Sequence, residues 1–577
     1  MRIPKLLFPA LVVCLSLTIM AGADDAKPAA PQANENTAQT SFEQVVDRVT
    51  DREHVNLQEL RKYSPVVETY IQNLRPDPDL GAVPEKDTYF LGRLDMSTGT
   101  RVDRAYTENA KKKKGFFAGF ASLFEKLSFT YDLKYLPLGF MQMVVMDDTS
   151  FDRAHYDFKF VRREFLGDVR CLVVEVSPKS NSGLGRFIGR IWVEDQDYNI
   201  VRFNGSYTPK PQHGVYLHFD SWRLNMRPGL WLPAYVYSEE SNLKGGGIGS
   251  KKSVSFKSQT RFWGYDQAHI GRHDEFSTIV VDSPKVKDQS EKAQDANPVQ
   301  AQRAWERLAE VNFLDRLEQA GLLAPEGEVD KVLETVINNL QVTNNLNIQP
   351  EVHARVLLTA PLESFTVGRT IVLSRGLIDV LPDEATLAAV IAHELAHLTL
   401  GHELDTRFAF ADRMIFPDEE TLNRLNLGRE AHSEDEADKK AVEYLRNSPY
   451  KDKLGNTGLF LQALSLRQKD LPNLLQAHIG NGLQSAGSLR MRELMEGAPQ
   501  LQVRDLDQIA ALPLGGRIHL DAWSDKIELN KANRIPLVSP REKMPFEVTP
   551  IFPYVTRLVA PDQAKVAAAA NNNGTTK

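Results

Sequence analysis

The stretch HELAHLTLGH at 393–402 places three of the chain's thirteen histidines beside a glutamate. Residues 383–400 contain neither proline nor glycine and are rich in alanine and leucine, so they predict a helix. On a helix of about 3.6 residues per turn, His393 and His397 share one face, where both imidazoles can bind one zinc ion. Glu394 is displaced around the helix and can reach a metal-activated water without being a ligand. The stretch therefore predicts a zinc-dependent hydrolase.

A third ligand is expected farther along the chain. The metzincin pattern would place glycine and histidine where this chain has Leu400 and Glu403, so that class of metallopeptidase is excluded. The later run SEDEAD supplies an alternative, because Glu434 and Asp438 are four residues apart and share a helix face. Glu434 can complete the zinc site, and Asp438 can accept the free N–H of a liganding histidine, which we expect to be His393.

The same residues also have an interpretation without a metal. A His-Glu-x-x-His pattern arises by chance in roughly one in fifty chains of this composition, and an acidic run is often a solvated helix face. However, burying two histidines and a carboxylate on an apolar helix costs free energy unless something binds them together, which favours the metal site. His402 lies about 140° around the helix from His397, so we expect it to miss the ion and to be structural or helix-terminal.

The run from VGRTIVLS to HELAHLTLGH, followed by E-x-x-A-D, resembles the gluzincin metallopeptidases of the HtpX, BepA and CaaX prenyl-protease family. The resemblance extends over roughly residues 300–495 and implies one Zn2+ per chain, with Glu394 as catalytic base and Asp438 as the partner of a liganding ring. The implied zinc ligands are His393, His397 and Glu434. The implied substrate-edge strand, which would pair with extended substrate, comprises Phe365, Thr366, Val367 and Gly368.

The chain departs from this family in two places. It reads Glu363-Ser364-Phe365 where the family usually has Asn-Ala-Phe, which changes the substrate edge. The family's later His-Pro…Arg element is represented only by AHIGNGLQSAGSLRMREL, which has no proline and a longer gap. His478 and Arg490 are therefore the candidates for stabilising the oxyanion, and structural roles are the alternative for both.

The N-terminus predicts export from the cytoplasm. Residues 1–23 combine a positive start, a short apolar stretch and a small-residue cleavage pattern, which is typical of a signal peptide, and 24–40 is expected to be a disordered linker. A membrane anchor is the alternative interpretation of this stretch. Because the transmembrane helices of the HtpX and prenyl-protease branches have no counterpart in the sequence, the resemblance favours the soluble, periplasmic BepA-like branch. After cleavage the remaining cysteine is Cys171, which we expect to be buried.

Residues 41–282 predict a β-rich domain with leading helices. The pattern to about residue 78 is interpreted as helical, and the β-branched and aromatic runs that follow predict one antiparallel, half-barrel-like sheet. The run GRIWVEDQDYNIVRFNG resembles the LolA-like lipoprotein carriers. The stretch Lys111–Phe124 combines lysines with phenylalanines, so it can make a peripheral membrane contact or, alternatively, pack on the sheet.

The remaining chain completes an α+β multidomain fold. A polar linker is predicted at 283–302, followed at 303–500 by a mainly helical zinc metallopeptidase domain with a short edge sheet. A small β appendage is expected at 501–560, and 561–577 is expected to be a disordered tail.

Together these features predict a secreted zinc metalloendopeptidase that hydrolyses unfolded or misassembled envelope proteins. The alternative is a lipid-, lipoprotein- or protein-binding quality-control module in which the peptidase domain acts mainly as a clamp or chaperone. Envelope proteins or lipid are the partners expected for the N-terminal domain. The formal net charge of −7 is small for 577 residues and gives no reason to expect nucleic acid as a partner.

Overall fold

The computed structural model describes residues 35–77, 81–97, 101–106, 139–147, 149–208, 216–244, 253–265, 311–349, 351–402, 429–479, 481–485, 488–502, 518–521, 526–529, 548 and 551–558. The chain divides into two compact units, residues 1–44 and 45–577. Of the first unit the described part is the start of helix α1 (Glu35–Leu60), which begins inside the stretch expected to be a linker. The predicted signal peptide, the stretch Lys111–Phe124, the linker 283–302 and the tail 561–577 lie outside the described residues.

The β-rich region forms one open antiparallel sheet. Its strands run in the order β3-β2-β1-β10-β9-β8-β7-β6-β5-β4, and the edge strands β3 and β4 do not pair with each other in the described part of the chain. This agrees with the half-barrel-like prediction. The strands are β1 (Val66–Asp77), β2 (Gly81–Asp95), β3 (Arg101–Ala105), β4 (Tyr156–Leu166), β5 (Val169–Pro178), β6 (Arg186–Glu194), β7 (Ile200–Thr208), β8 (Phe219–Arg227), β9 (Leu230–Lys244) and β10 (Ser253–Trp263).

The interpretation of residues 64–74 as helical is wrong, because they lead into and form β1, a central strand. Pro65 separates α1 from this strand, and the β-branched and aromatic residues that follow suit a pleated, buried surface. Every residue from Val66 to Gln72 is buried, since both faces of the sheet are covered here. A strand buried on both sides loses the polar–apolar alternation that would have identified it.

Helix α1 packs on one face of the sheet through a buried ion pair. Glu53 accepts two hydrogen bonds from the Arg223 guanidinium of β8, with N–O distances of 2.6 and 2.7 Å. On the opposite face, Cys171 of β5 is fully buried, as predicted. Burial is the main cause that raises the pKa of the Cys171 thiol to about 12, so the thiol is unreactive at neutral pH.

The helical region, residues 311–502, contains one small sheet in the order β11-β13-β12-β14. Its elements are α2 (Glu328–Thr343), β11 (His353–Leu357), β12 (Glu363–Val367), β13 (Thr370–Ser374), α3 (Arg375–Val380), α4 (Glu384–Leu400), α5 (Ala431–Arg446), α6 (Leu454–Arg467), α7 (Pro472–Leu475), β14 (Asn481–Gly482), β15 (Gln484–Ser485), β16 (Ser488–Leu489) and α8 (Arg492–Glu496). The predicted C-terminal β appendage contains the hairpin of β17 (Ile518–Asp521) and β18 (Lys526–Leu529).

One short element of this region differs from the prediction. Residues 375–380, interpreted as part of a strand, form α3 instead. The side chain of Ser374 accepts a hydrogen bond from the Leu377 N–H at 3.1 Å, which caps the helix and ends β13.

The β-rich sheet contacts the helical region directly through buried polar side chains. Glu68 of β1 accepts a hydrogen bond from the Ala360 N–H at 2.6 Å, and Arg261 of β10 donates to the Leu358 carbonyl at 3.2 Å. Asp87 of β2 accepts hydrogen bonds from the backbone N–H groups of Asn473 and Leu474. The sheet is therefore attached to the segments that lead into β12 and into β14.

The C-terminal segment 551–558 also packs against the sheet. The Asp168 N–H, in the turn between β4 and β5, donates to the Val555 carbonyl at 2.9 Å, and the Leu558 N–H donates to the Asn225 side chain at 2.6 Å. A side chain at Gly167 would collide with the Val555 backbone. None of the described helices is both long and apolar enough to cross a membrane.

We predict that Glu68→Ala lowers the free energy of unfolding by about 3–5 kcal/mol. The Glu68 carboxylate also pairs with the buried Arg261 guanidinium at an N–O distance of 2.8 Å. Removing it leaves the buried Arg261 charge without its carboxylate and the Ala360 N–H without its acceptor. Urea unfolding followed by circular dichroism measures the change.

Asp47→Asn is the matched control. Asp47 pairs with Arg153 at 3.2 Å, but both side chains are about half exposed. An exposed ion pair contributes roughly 0–1 kcal/mol, so the control should unfold close to the wild-type midpoint. Equal losses in the two variants would contradict the importance assigned to the buried carboxylate.

Candidate active site

Helix α4 presents the two candidate zinc-binding histidines. It begins after Asp383, whose side chain accepts a hydrogen bond from the Thr386 N–H at 2.9 Å. It ends at Gly401, which has φ of 70° and closes the helix with an N–H donated to the His397 carbonyl. His393 and His397 lie one turn apart, and both side chains are fully buried. The helix predicted from the sequence is thus present, and it buries its polar face.

Helix α5 brings the third candidate ligand against α4. Glu434 lies in its first turn, where the N-terminal end of a helix favours a negative charge. The small buried residues Ala437 and Ala441 allow the two helices to approach closely. Asp438, one turn after Glu434, accepts the Nδ1 hydrogen of His393 at 2.7 Å. The structure thus places Asp438 in contact with His393, as the sequence suggested, and its role as the partner of a metal ligand stays a prediction.

Three ligand atoms converge at one point. The Nε2 atoms of His393 and His397 are 3.0 Å apart. The Glu434 oxygens lie 3.2 Å from His393 Nε2 and 3.6 Å from His397 Nε2. Atoms that each lie about 2.0–2.1 Å from one tetrahedral zinc ion are separated by roughly 3.3 Å. His393, His397 and Glu434 therefore fit a single metal ion, with the nitrogen and oxygen donors that zinc accepts.

The hydrogen bonding and the pKa values of these side chains also support a single metal ion. Within the described residues, neither buried oxygen of Glu434 accepts a hydrogen bond of good geometry, although such oxygens are normally satisfied. Burial acts to raise the pKa of Glu434, but the His393 and His397 rings and Arg490 hold that pKa well below its usual range. Burial lowers the pKa of His397 to about 4, so its ring is neutral at pH 7. An anionic carboxylate beside a neutral imidazole is suited to binding a divalent cation.

Glu394 is buried beside the cluster and held by β12. Its two oxygens accept hydrogen bonds from the hydroxyl groups of Ser364, at 2.8 Å, and Thr366, at 2.7 Å. Burial acts to raise the pKa of Glu394, but Arg490, the two histidine rings and Arg429 together lower it to about 2. Glu394 is therefore an ionised carboxylate, and Arg490 lies between it and Glu434.

Arg490 contacts the carboxylates of both Glu394 and Glu434. Its Nη1 lies 3.2 Å from Glu394, and its Nε lies 3.2 Å from Glu434 but makes no hydrogen bond within the described residues. The next residue, Met491, has φ of 56°, which is strained for a methionine, and its N–H donates to Asp438 at 2.7 Å. The structure thus places the predicted Arg490 at the site.

His478 makes different contacts. Its Nε2 lies 3.0 Å from the Asn473 carbonyl, and its ring packs 4.7 Å from that of Tyr89 in the β-rich sheet. Neither contact involves the histidine–carboxylate cluster. The proposed role of His478 at the oxyanion stays a prediction, and the contacts described support a structural role.

The predicted substrate-edge strand is present as β12, next to the cluster. One side of β12 pairs with β13, and the other pairs with β14 only at Glu363 and Ser364. Beyond Ser364 this second edge pairs with no further strand in the described part of the chain. The positions predicted to bind substrate lie along this second edge, and that role remains a prediction. They are Phe365, Thr366, Val367 and Gly368.

Three polar contacts of the site were not predicted from the sequence. Ser364 and Thr366 bind Glu394 although no motif indicates that they would. Arg429 donates to the Thr366 carbonyl at 3.5 Å and lies 3.8 Å from Glu394. Its guanidinium is buried, and its position in GRE, just before α5, gave no chemical signal. Long-range proximity, rather than local spacing, determines all three contacts.

Comparison with known proteins identifies part of this region. Residues 324–414 match the sequence model of Peptidase family M48. The match includes His393, Glu394 and His397 and stops before Glu434. It confirms the predicted metallopeptidase resemblance for this segment. No curated protein is significantly similar to the chain.

Several solved structures are similar at low identity. They include a LolA superfamily protein from Nitrosomonas europaea, with 12% identity, 38% of this chain and 90% of that chain covered, and a TM-score of 0.18. An outer membrane lipoprotein-sorting protein domain from Vibrio parahaemolyticus has 11% identity, coverage of 40% and 97%, and a TM-score of 0.20. A DUF1329 family protein from Desulfovibrio piger has 12% identity, coverage of 40% and 98%, and a TM-score of 0.19. At such scores these likenesses carry no functional argument.

We predict that Glu434→Ala reduces bound zinc from about one equivalent per chain to a small fraction, because it removes one of three protein ligands. Elemental analysis of protein dialysed against metal-free buffer measures the content. Glu443→Ala is the control, since Glu443 lies on the same helix but pairs with Lys440 at the surface. Zinc content that is equal in the two variants would contradict the ligand assignment.

Proposed function

We propose that the chain is a zinc-dependent endopeptidase, because residues 324–414 match the sequence model of Peptidase family M48. The observation that carries the proposal is the convergence of His393, His397 and Glu434 beside the ionised carboxylate of Glu394. The geometry of the three ligand atoms and the Glu434 oxygens without hydrogen bonds support metal binding. The adjacent Glu394 carboxylate supports hydrolysis, because it can act as a base.

The chain's own residues would perform the proton transfers. Bound zinc would act as a Lewis acid toward the peptide carbonyl and would make a water molecule more acidic. Glu394 would accept a proton from the attacking water molecule and would then donate it to the leaving amine. Ser364 and Thr366 orient the carboxylate during both transfers.

Arg490 is the proposed stabiliser of the oxyanion. Its Nε is a buried donor without a hydrogen-bond partner in the described part of the chain, and such a donor can serve the negative charge that develops on the carbonyl oxygen. Arg490 also lowers the pKa of Glu394 in the resting site. If its guanidinium turns toward the substrate, Glu394 becomes a stronger base at the time when a proton must be accepted.

Substrate is proposed to bind as an extended strand along β12. Main-chain hydrogen bonds to the edge beyond Ser364 would hold a polypeptide with little dependence on its side chains, which suits unfolded protein. The Arg429 side chain already donates to the Thr366 carbonyl, so a substrate strand that pairs at that residue would share or replace this contact.

Envelope proteins that are unfolded or misassembled are the proposed substrates, and the periplasm is the proposed location. The signal-peptide pattern at 1–23 supports export. Recruitment of envelope proteins or lipid by the β-rich region is part of the same proposal. In the alternative function the chain would bind such partners as a clamp, and the peptidase site would contribute little hydrolysis.

We predict that Glu394→Gln lowers the rate of hydrolysis of an unfolded substrate, such as dye-labelled casein, by about 10²–10⁴-fold while zinc content stays unchanged. Glutamine cannot accept the proton, but it is not expected to disturb the zinc ligands. Glu384→Gln is the control, because Glu384 lies on the same helix and contacts Tyr450 outside the site.

Two results would contradict the proposal. Hydrolysis by Glu394→Gln at the wild-type rate would exclude Glu394 as the base. Wild-type protein that holds about one zinc per chain but binds unfolded protein without cleaving it would favour the clamp. Lipid that copurifies with the protein, detected by mass spectrometry, would support the carrier-like interpretation of residues 88–282.

A further inference from the structure

We propose that His402, together with Glu436, is a positioning residue for the zinc ligand His397. This inference rests on the proposed zinc site and adds to it a residue pair that fixes the protonated nitrogen of one ligand. The sequence indicated only that His402 would miss the ion and be structural or helix-terminal. Its location supports a more specific role.

His402 is held directly behind the ring of His397. Gly401, in the left-handed conformation, turns the chain at the end of α4, and the His402 N–H donates to the His397 carbonyl at 3.0 Å. The two Nδ1 atoms lie 3.0 Å apart, and the ring centroids are separated by 5.2 Å. The His402 side chain is only 12% exposed, so water has little access to this contact.

The arrangement of nitrogens assigns one proton to each ring. His397 Nε2 faces His393 and Glu434, and it must be unprotonated there to bind a metal. Its proton is then on Nδ1 and is donated to His402 Nδ1, which must be an acceptor. The proton of His402 is consequently on Nε2, which lies 3.3 Å from the Glu436 carboxylate. One hydrogen bond thus joins His397 to His402, and the protonated nitrogen of His402 faces the Glu436 carboxylate.

The two histidine ligands are supported differently. The carboxylate of Asp438 binds the His393 ring directly, whereas a neutral imidazole binds the His397 ring, and Glu436 acts only through it. Glu436 is about half exposed and also lies 3.4 Å from the exposed His432. The contact between His402 and His397 should therefore affect metal binding more than the contact between Glu436 and His402. Loss of such an outer hydrogen bond typically weakens metal affinity about 10–100-fold.

A pair of substitutions separates positioning from packing. His402→Asn keeps an acceptor oxygen near the place of Nδ1, and His402→Leu fills similar space without an acceptor. We measure the zinc dissociation constant of the purified full chain by competition with a chromophoric chelator. His402→Leu should weaken zinc binding about 10–100-fold, and His402→Asn should stay within about 3-fold of wild type.

His432→Gln is the matched control, since His432 contacts the same carboxylate without touching His397. It should bind zinc like the wild type. Wild-type affinity in His402→Leu would overturn the inference, and so would equal weakening in the leucine and asparagine variants, which indicates a packing role. Failure of the wild type itself to bind zinc would instead overturn the proposed function, and this inference with it.

Discussion

The carboxylate of Asp438 connects the three elements that build the site. One oxygen binds His393 of α4, and the other binds the Met491 N–H, each at 2.7 Å. Asp438 itself belongs to α5, one turn after Glu434. Met491 has a positive φ and follows Arg490 directly, so the same carboxylate also anchors the backbone beside Arg490. A single side chain thus connects a ligand ring, the helix of a ligand carboxylate and the segment of the candidate oxyanion donor.

The charged side chains around the two histidines are buried, so each of them needs a partner of opposite charge. Glu394 and Glu434 are two carboxylates with almost no exposure to water, and Arg490 and Arg429 are the buried cations beside them. Burying four charges is costly unless each is paired, and the orphaned oxygens of Glu434 indicate that this pairing is incomplete. A divalent cation between the histidines would supply the missing partner. The same electrostatic balance keeps Glu394 ionised, which a proton acceptor requires.

Local spacing explains which parts of the site were predictable. The four-residue separations of His393 from His397 and of Glu434 from Asp438 determine helix faces, and the structure has those faces as expected. The roles of Ser364 and Arg429 depend on which distant segments meet at the site. Local sequence patterns do not predict such contacts. The misassigned β1 has the same cause, because both of its faces are covered by distant parts of the chain.

The attachment of the β-rich sheet limits how that region can act on the site. Glu68 holds the Ala360 N–H shortly before β12, and Asp87 holds the backbone at Asn473 shortly before β14. Since β12 and β14 pair at Glu363 and Ser364, the sheet supports both strands that meet beside Glu394. Buried hydrogen bonds therefore connect the sheet at β1 and β2 to the edge on which substrate is proposed to bind.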